Sequence, residues 1–485
     1  MNCKGGGNLL EEELVQLVNK ITTEKCEKQY IEIKKASGGT PSRLYDTLSS
    51  FSNQIGGGII IFGIDEDSGY EVTGVYDAQE LQKKVVEQSV QMEPVVRPLF
   101  TVAQVAGKLV VSAEISECDI YDKPCFYKGA GRLRGSYIRV GDSDQPMTEY
   151  EIYSYEAFKK RIHDELRTVD RATMEYLKKD NITEYLIKLR RQKINLTNLD
   201  DERIMETQGI SQEGFPTLAG LMLLGEYPQE FFPQLSVTAM LVQGKKIGEL
   251  GVDGERFIDN KRIEGTISQM LEGTLAFVRR NMKVKTIINE NGTRADKPEY
   301  PIKAVREIIL NSLIHRDYSV HTERSPIRLV MYEDRLELEN PGGLYGRITI
   351  DDLGKVAADT RNPYIAGALE IMIDTENRFS GIPTIIAELK KAGMPAPIFI
   401  DRRGVFKVIF YKKTVAQDED SDFKQRILDF CITPRSREEL AEKFGFETPS
   451  YFIKTYISPL IEEGRIKMTI PDKPKSKFQK YYSYC

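Results

Sequence analysis

In the stretch REIILNSLIHRDY, residues 306–318, Glu307 and Asn311 stand four apart in an otherwise apolar run. Positions i and i+4 share a helix face, so a helix here would set a carboxylate beside an amide. Ile302, Val305, Ile309 and Leu313 recur at helical spacing and predict the buried face of that helix. His315 follows at its end, where a cation would meet the helix dipole favourably. A second set with chemical potential is basic: Lys128, Arg132, Arg134 and Arg139, with Tyr127 and Tyr137 among them and Lys34 upstream. Cations mixed with flat rings suit contacts to a nucleic-acid backbone and its bases. A third lies near the C-terminus, where Lys473, Lys475, Lys477 and Lys480 would contact phosphate without sequence choice.

The elements that must position these groups are spread over 485 residues, a length that predicts about three domains. Forty per cent of the residues are apolar and 29% charged, and no apolar run approaches a membrane span. No export signal is visible at the N-terminus, and the six cysteines lack paired spacing. A reducing cytoplasm is therefore expected, with no membrane partner, zinc or haem. The net charge of −5 is uneven. Residues 423–485 hold 12 Lys/Arg against 8 Asp/Glu, so the basic surplus sits at that end. The polar, acidic run KKTVAQDEDSDF marks a linker over 414–422. The expected divisions are 1–150, a helical connector 151–214, 215–413, that linker, and 423–485.

Within the first division KQYIEIKKA reads as a strand and SRLYDTLSSFSNQIGGG as a helix with Leu44, Leu48, Phe51 and Ile55 on one face. Gly56, Gly57 and Gly58 stop it and let the chain enter the next strand closely. IIIFGIDEDSGYEVTGV reads as a hairpin turning at Asp67-Ser68-Gly69. In the last division Ser436 and Glu439 make a capping box for a helix burying Leu440, Ala441 and Phe444. A second helix follows, which Pro459 should kink or end near Ile457, and then two lysine-rich strands.

Three resemblances follow from these patterns. Residues 24–147, with Glu27, Glu32-Ile33-Lys34, Ser52-Asn53, Gly56-Gly57, Gly63-Ile64-Asp65 and SYIRVGDSDQPM, resemble the Schlafen-type Alba-like domain. That resemblance implies nucleic-acid binding. In Schlafen nucleases two glutamates and a later aspartate hold a metal for RNA cleavage, and Glu27, Glu32 and Asp65 or Asp67 are the positions that would carry this. Carboxylate oxygens suit Mg²⁺ or Mn²⁺, which stabilise charge on a scissile phosphate.

Residues 215–411, with Glu307 and Asn311, HRDY, LELENPGGL, TRNPYIAGALEIM and ENRFSGIPTIIAELKKAGMPAPIF, resemble a RecG-like GHKL-related region. The resemblance implies ATP binding, with Asn311 helping to hold Mg²⁺, Glu307 positioning water, and Asn340, Gly342, Gly343 and Gly381 around the nucleotide. Two departures stand out. Asn340 occupies the place of the aspartate that reads adenine, where an amide hydrogen-bonds without the charge that strengthens such a contact. Phe379 replaces a glycine, where bulk hinders close backbone approach to phosphate.

The last division looks like a winged helix-turn-helix, in which Ser450, Tyr451 and Lys454, with Thr455, would reach base edges. His315-Arg316-Asp317 fails as a kinase catalytic loop, since no kinase Gly-rich loop or Asp-Phe-Gly accompanies it. A helicase is not expected either, because no Gly-x-x-x-x-Gly-Lys-Ser/Thr loop occurs. The expected fold is α+β multidomain: an Alba-like α+β module, a GHKL-like α/β sandwich and a winged helix. The expected function is a cytoplasmic regulator that binds nucleic acid, DNA foremost, and senses a nucleotide through its GHKL-like domain. Self-association into a homo-oligomer is compatible with this reading. The alternative is a metal-dependent endoribonuclease acting in defence or stress.

Overall fold

The computed structural model describes residues 9–249, 254–288, 294–356, 359–373, 381–402, 404–412, 424–444, 449–470 and 479–483. The protein is a mixed α/β molecule with its apolar side chains gathered in separate cores. At the N-terminus four strands form one sheet in the order Ile31–Lys34, Gly58–Phe62, Lys108–Ile115, Leu99–Val105. Only the first pair is parallel. Strand Gly58–Phe62 is buried throughout, and its side chains alternate between faces. Ile60 and Phe62 join Leu44, Leu48 and Phe51 of the helix Tyr45–Asn53 and its lead-in, while Ile59 and Ile61 meet Leu14, Val18 and Ile21 of the helix Glu11–Glu24. Each such side chain contributes about 1.5–3 kcal/mol on burial.

The expected helix face holds for Leu44, Leu48 and Phe51, all fully buried, but not for Ile55, which is 72% exposed. The helix ends at Asn53, so Ile55 falls in the turn after it. Gly57 adopts φ +72, and a Cβ there would lie 2.1 Å from the Ile115 carbonyl oxygen, which accounts for glycine at this entry to the sheet. Ile64–Asp65 pairs with Glu71–Val72 across the Asp67-Ser68-Gly69 turn.

A capping box at Thr148 and Glu151 opens the helix Glu149–Lys160 as the chain leaves this module. The second sheet has six strands in the order Phe257–Ile263, Val237–Val242, Ile327–Met331, Arg335–Pro341, Val405–Tyr411, Ile398–Arg402. Val237–Val242 and Ile327–Met331 run parallel and every other neighbour pair is antiparallel. The helices Ile267–Asn281, Ile302–His315 and Gly381–Lys391 supply apolar side chains to a core with this sheet. Ala172, Leu177, Tyr185, Leu186, Leu189, Ile204 and Ile210 enter the same core, so the stretch expected as a connector contributes to the central packing.

Residues 424–430 are helical, and strand Arg435–Ser436 and helix Arg437–Lys443 follow. The Ser436–Glu439 capping box is present, and Leu440 and Ala441 are buried. The next helix runs from Pro449–Phe452 through a π turn, Ile453–Ile457, into Ser458–Glu462. Pro459 lacks an N–H and its ring crowds the preceding turn, so the chain widens rather than stops. Strands Arg435–Ser436, Lys480–Ser483 and Ile466–Met468 lie side by side in that order. The acidic linker 414–422 lies outside the described residues. Among the described residues no helix is long and apolar enough to cross a membrane.

Candidate nucleic-acid interface and nucleotide site

Strand Ile31–Lys34 carries Glu32, and Glu27 lies in the approach to it. Both turn toward a cation rather than toward open space. Arg139, on strand Tyr137–Val140, sends Nη2 to Glu32 Oε2 at 2.7 Å and to Glu27 Oε2 at 3.6 Å, and Nη1 to Asp144 Oδ1 at 2.9 Å. Its guanidinium lies 5.3 Å from the Phe51 ring centroid, and Nη2 also donates to the Ile31 carbonyl. Burial alone would lower the Arg139 pKa, but the bonds to Asp144 and Glu32 raise it above its ordinary value. Burial, with the charge of Glu32, pushes Glu27 up to about 7, against the Ile33 N–H and Arg139, which pull it down. Thr47 and Ser50 donate hydroxyl hydrogens to Asp144, completing its shell.

This arrangement corrects two expectations. Arg139 is 4% exposed and is committed to carboxylates, so it is not part of a phosphate-contacting surface. Asp65 does not join Glu27 and Glu32. It is held by Lys35 Nζ at 2.7 Å and the Ser68 hydroxyl at 2.9 Å, which keep its carboxyl below the usual range. Asp67 is exposed at the hairpin turn. Among the described residues no three His, Cys, Asp or Glu side chains stand where they could share a metal ion. The residues present therefore do not fit the metal that a Schlafen nuclease would need, because a guanidinium fills the space between the two glutamates.

The rest of the basic set lies at the surface, unlike Arg139. Lys128, Arg132 and Arg134 are exposed on and before the short helix Gly131–Gly135. Arg132 is paired with Glu156, and Lys34 with Glu32. Tyr127 stacks on Tyr45 at 3.8 Å between centroids, and the Tyr137 hydroxyl accepts from Arg43 Nη2 at 3.2 Å. Arg43 was not among the expected residues; nothing in its local spacing distinguishes it. At the other end of the chain Lys480 is exposed at the start of its strand. Ser450, Tyr451 and Lys454 fall on the helix that begins at Pro449 and continues through the π turn, with their side chains outside the described part. Lys473, Lys475 and Lys477 lie outside the described residues.

In the central domain Glu307 and Asn311 share a face of the helix Ile302–His315, as their spacing requires. The N-terminus of the helix Gly381–Lys391 is brought against them. A Cβ on Gly381 would lie 2.8 Å from Asn311 Nδ2 and 3.4 Å from Glu307 Oε2. Glycine here gives the closest backbone approach to both groups, and a helix N-terminus favours negative charge. Burial raises the Glu307 pKa, with Arg306, 3.6 Å away, opposing it. Glu307, Asn311 and Gly381 thus lie together. Phe379 lies outside the described residues.

Asn340, Gly342 and Gly343 sit at the end of strand Arg335–Pro341, in a second polar cluster. Asn340 is 4% exposed, and its Oδ1 has no hydrogen-bond partner among the described residues. Gly342, at φ +105, is pressed between Asp317 and Arg361: a Cβ there would lie 2.8 Å from Asp317 Cβ and 2.9 Å from Arg361 Nη1. Arg361 Nη2 donates to the Gly343 carbonyl, and Asp401 Oδ2 accepts from the Leu344 N–H.

The HRDY residues make internal contacts. Arg316 is buried and donates to the carbonyls of Thr322 and Ser325, and the Tyr318 hydroxyl donates to the Leu313 carbonyl. Asp317 pairs with Arg361 at 2.6 Å, and this holds its carboxyl low although burial pushes it up. Burial and the Arg361 charge push His315 down to about 4. His315 is therefore neutral near pH 7, and the expected dipole contact is replaced by Asn362, whose Nδ2 donates to the Ile314 and Arg316 carbonyls.

Comparison with known proteins matches three segments of the chain. Residues 27–148 match the family model "Schlafen, AlbA_2". Residues 324–410 match "Putative ATP-dependent DNA helicase recG C-terminal". Residues 425–482 match "Filamentation induced by cAMP protein Fic-like, C-terminal domain". No curated protein matches the chain. Among solved structures, the DIP2311 protein from Corynebacterium diphtheriae is 18% identical, with 94% of this chain and 93% of that one covered at a TM-score of 0.40. The N-terminal domain of a "Putative ATP-dependent DNA Helicase RecG-related Protein" from Nitrosomonas europaea is 28% identical, with 28% of this chain and 92% of that one covered at a TM-score of 0.23.

Proposed function

We propose that the protein is a regulator that binds nucleic acid, DNA foremost, and whose central domain senses a nucleotide. The observation that carries the choice of binder over nuclease is the Arg139 guanidinium between Glu27, Glu32 and Asp144. Carboxylates already bound to a buried guanidinium have their oxygens turned inward, and this leaves the exposed cations Lys128, Arg132 and Arg134 as the groups that would meet phosphate. The match of residues 27–148 to the Schlafen AlbA_2 model supports a nucleic-acid partner.

The C-terminal order of helix, strand, two helices and two strands supports reading this unit as a winged helix, which would add a second contact through its longer helix and its lysines. For the central domain the support is the convergence of Glu307, Asn311 and Gly381, together with the recG C-terminal match. If ATP binds there, Asn311 would ligate its Mg²⁺ and the Gly381 end of the helix would face phosphate.

One assay tests this reading: the full chain with mixed DNA and RNA, with and without ATP and Mg²⁺ or Mn²⁺. Binding that weakens steeply with salt and intact substrates are expected. Cleavage with Mn²⁺ that Glu32→Ala abolishes would replace this reading with the endoribonuclease.

A further inference from the structure

The helix Glu149–Lys160 begins three residues after the last strand of the N-terminal module, Ser143–Pro146, and lies on the central domain. Tyr150 is its anchor. The Tyr150 hydroxyl donates to Asp317 Oδ2 at 2.8 Å. Gly404 passes so close beneath the ring that a Cβ there would lie 2.2 Å from Tyr150 Cε1. Tyr153, one turn on, lies 4.7 Å from the His321 ring and donates to Asp164 at 2.6 Å. Phe158 meets the Tyr345 ring edge-on at 5.4 Å, and the same ring lies 5.0 Å from the Arg361 guanidinium.

Asp317 and Arg361 are thus shared. On one side their ion pair receives Tyr150. On the other it packs against Gly342, and Arg361 Nη2 holds the Gly343 carbonyl. The Asp317 N–H donates to the Pro341 carbonyl at 2.9 Å, and only Arg316 separates Asp317 from the helix that carries Glu307 and Asn311. A buried ion pair with several defined partners moves as a unit, because leaving either charge unpaired in a desolvated site is strongly unfavourable.

We propose that Tyr150, Asp317 and Arg361 form a latch that couples ligand occupancy in the central domain to the placement of the N-terminal nucleic-acid module. This rests on the nucleotide-sensing reading for its ligand, but the mechanical link stands on the contacts alone. A nucleotide at Glu307, Asn311 and the Gly342-Gly343 turn would shift the pair that holds Tyr150. Nucleic acid bound to the N-terminal module would act on the same pair from the other side, and by linkage the two effects must be equal.

Two measurements on the full chain separate the latch from the nucleotide reading. The first is amide hydrogen exchange in wild type and Tyr150→Phe, which keeps the ring and removes the hydroxyl. Exchange should rise together in residues 149–160 and in the 342–344 turn, and a rise confined to 149–160 overturns the latch. The second is the ratio of DNA affinities with and without ATP and Mg²⁺. That ratio should depart from 1 by about 5-fold or more in wild type. It should fall toward 1 in Tyr150→Phe, while each ligand alone still binds. A ratio that Tyr150→Phe leaves unchanged overturns the coupling. Absence of ATP binding by wild type, with the exchange rise still linked, overturns the nucleotide reading and supports the latch.

Discussion

At the scale of single residues, the burial of Arg139 among three carboxylates makes it the side chain whose loss should cost most. Arg139→Ala leaves Glu27, Glu32 and Asp144 without their common cation, and a loss of about 3–5 kcal/mol is expected from urea denaturation. Glu27 gives the cluster a pH signature. Its pKa rises from an ordinary 4.5 to about 7 in the folded chain, so the folded state holds a proton that the unfolded state releases. The stability this confers is fully present below about 4.5 and is lost as pH rises through about 7. Glu27→Gln mimics the protonated form. It should match wild type near pH 4.5 and exceed it in melting temperature at pH 8; equal melting temperatures at both would rule out the titration. None of this pairing was legible in the sequence. Glu27 and Glu32 stand out in a short window, but the cation that joins them arrives from strand Tyr137–Val140, and no local spacing announces it.

Among the elements, what periodicity encodes was legible and what tertiary contact decides was not. Ile302, Val305, Ile309 and Leu313 predicted the buried face of the Ile302–His315 helix; the last three are buried and Ile302, at its first turn, is half-buried. Helical spacing alone brings Glu307 and Asn311 together. The helix Pro363–Met372 shows the other case. Its first N–H groups are capped by Glu165, whose Oε1 and Oε2 accept from Tyr364 and Ile365 at 3.0 and 2.8 Å, about two hundred residues away in the chain. A capping search near residue 362 cannot find that carboxylate. Glu165 is fully buried, and burial pushes its pKa to about 7 despite both N–H donors. Glu165→Ala should cost about 1–3 kcal/mol in thermal or urea unfolding, because two buried donors lose their acceptor. Glu165→Gln keeps one acceptor oxygen and should cost less. Equal losses for the two would mean the side chain acts by packing alone.

For the whole molecule, composition and turn residues predict an N-terminal module, a central region and a C-terminal unit, and the expected connector 151–214 instead shares the central core. The six-strand order could not be read in this way, since neighbours Val237–Val242 and Ile327–Met331 are joined only after a long excursion through two helices. The surface cations give the protein-wide prediction. Lys128→Glu and Arg134→Glu should each lower DNA affinity and reduce the slope of log K against log salt by about 1. An unchanged slope would move the interface elsewhere. The separation of the cores also has a consequence for the chain's birth on the ribosome. The buried residues of the two N-terminal cores lie between Leu14 and Cys125, with Leu9 and Tyr127 packed against them, whereas those of the central core span Ala172 to Phe410. At about 5–20 residues per second, with domains folding as units in order of synthesis, tens of seconds separate the two completions. A nascent chain would expose a finished nucleic-acid module, tethered beside its own message, before the Asp317–Arg361 pair that receives Tyr150 exists.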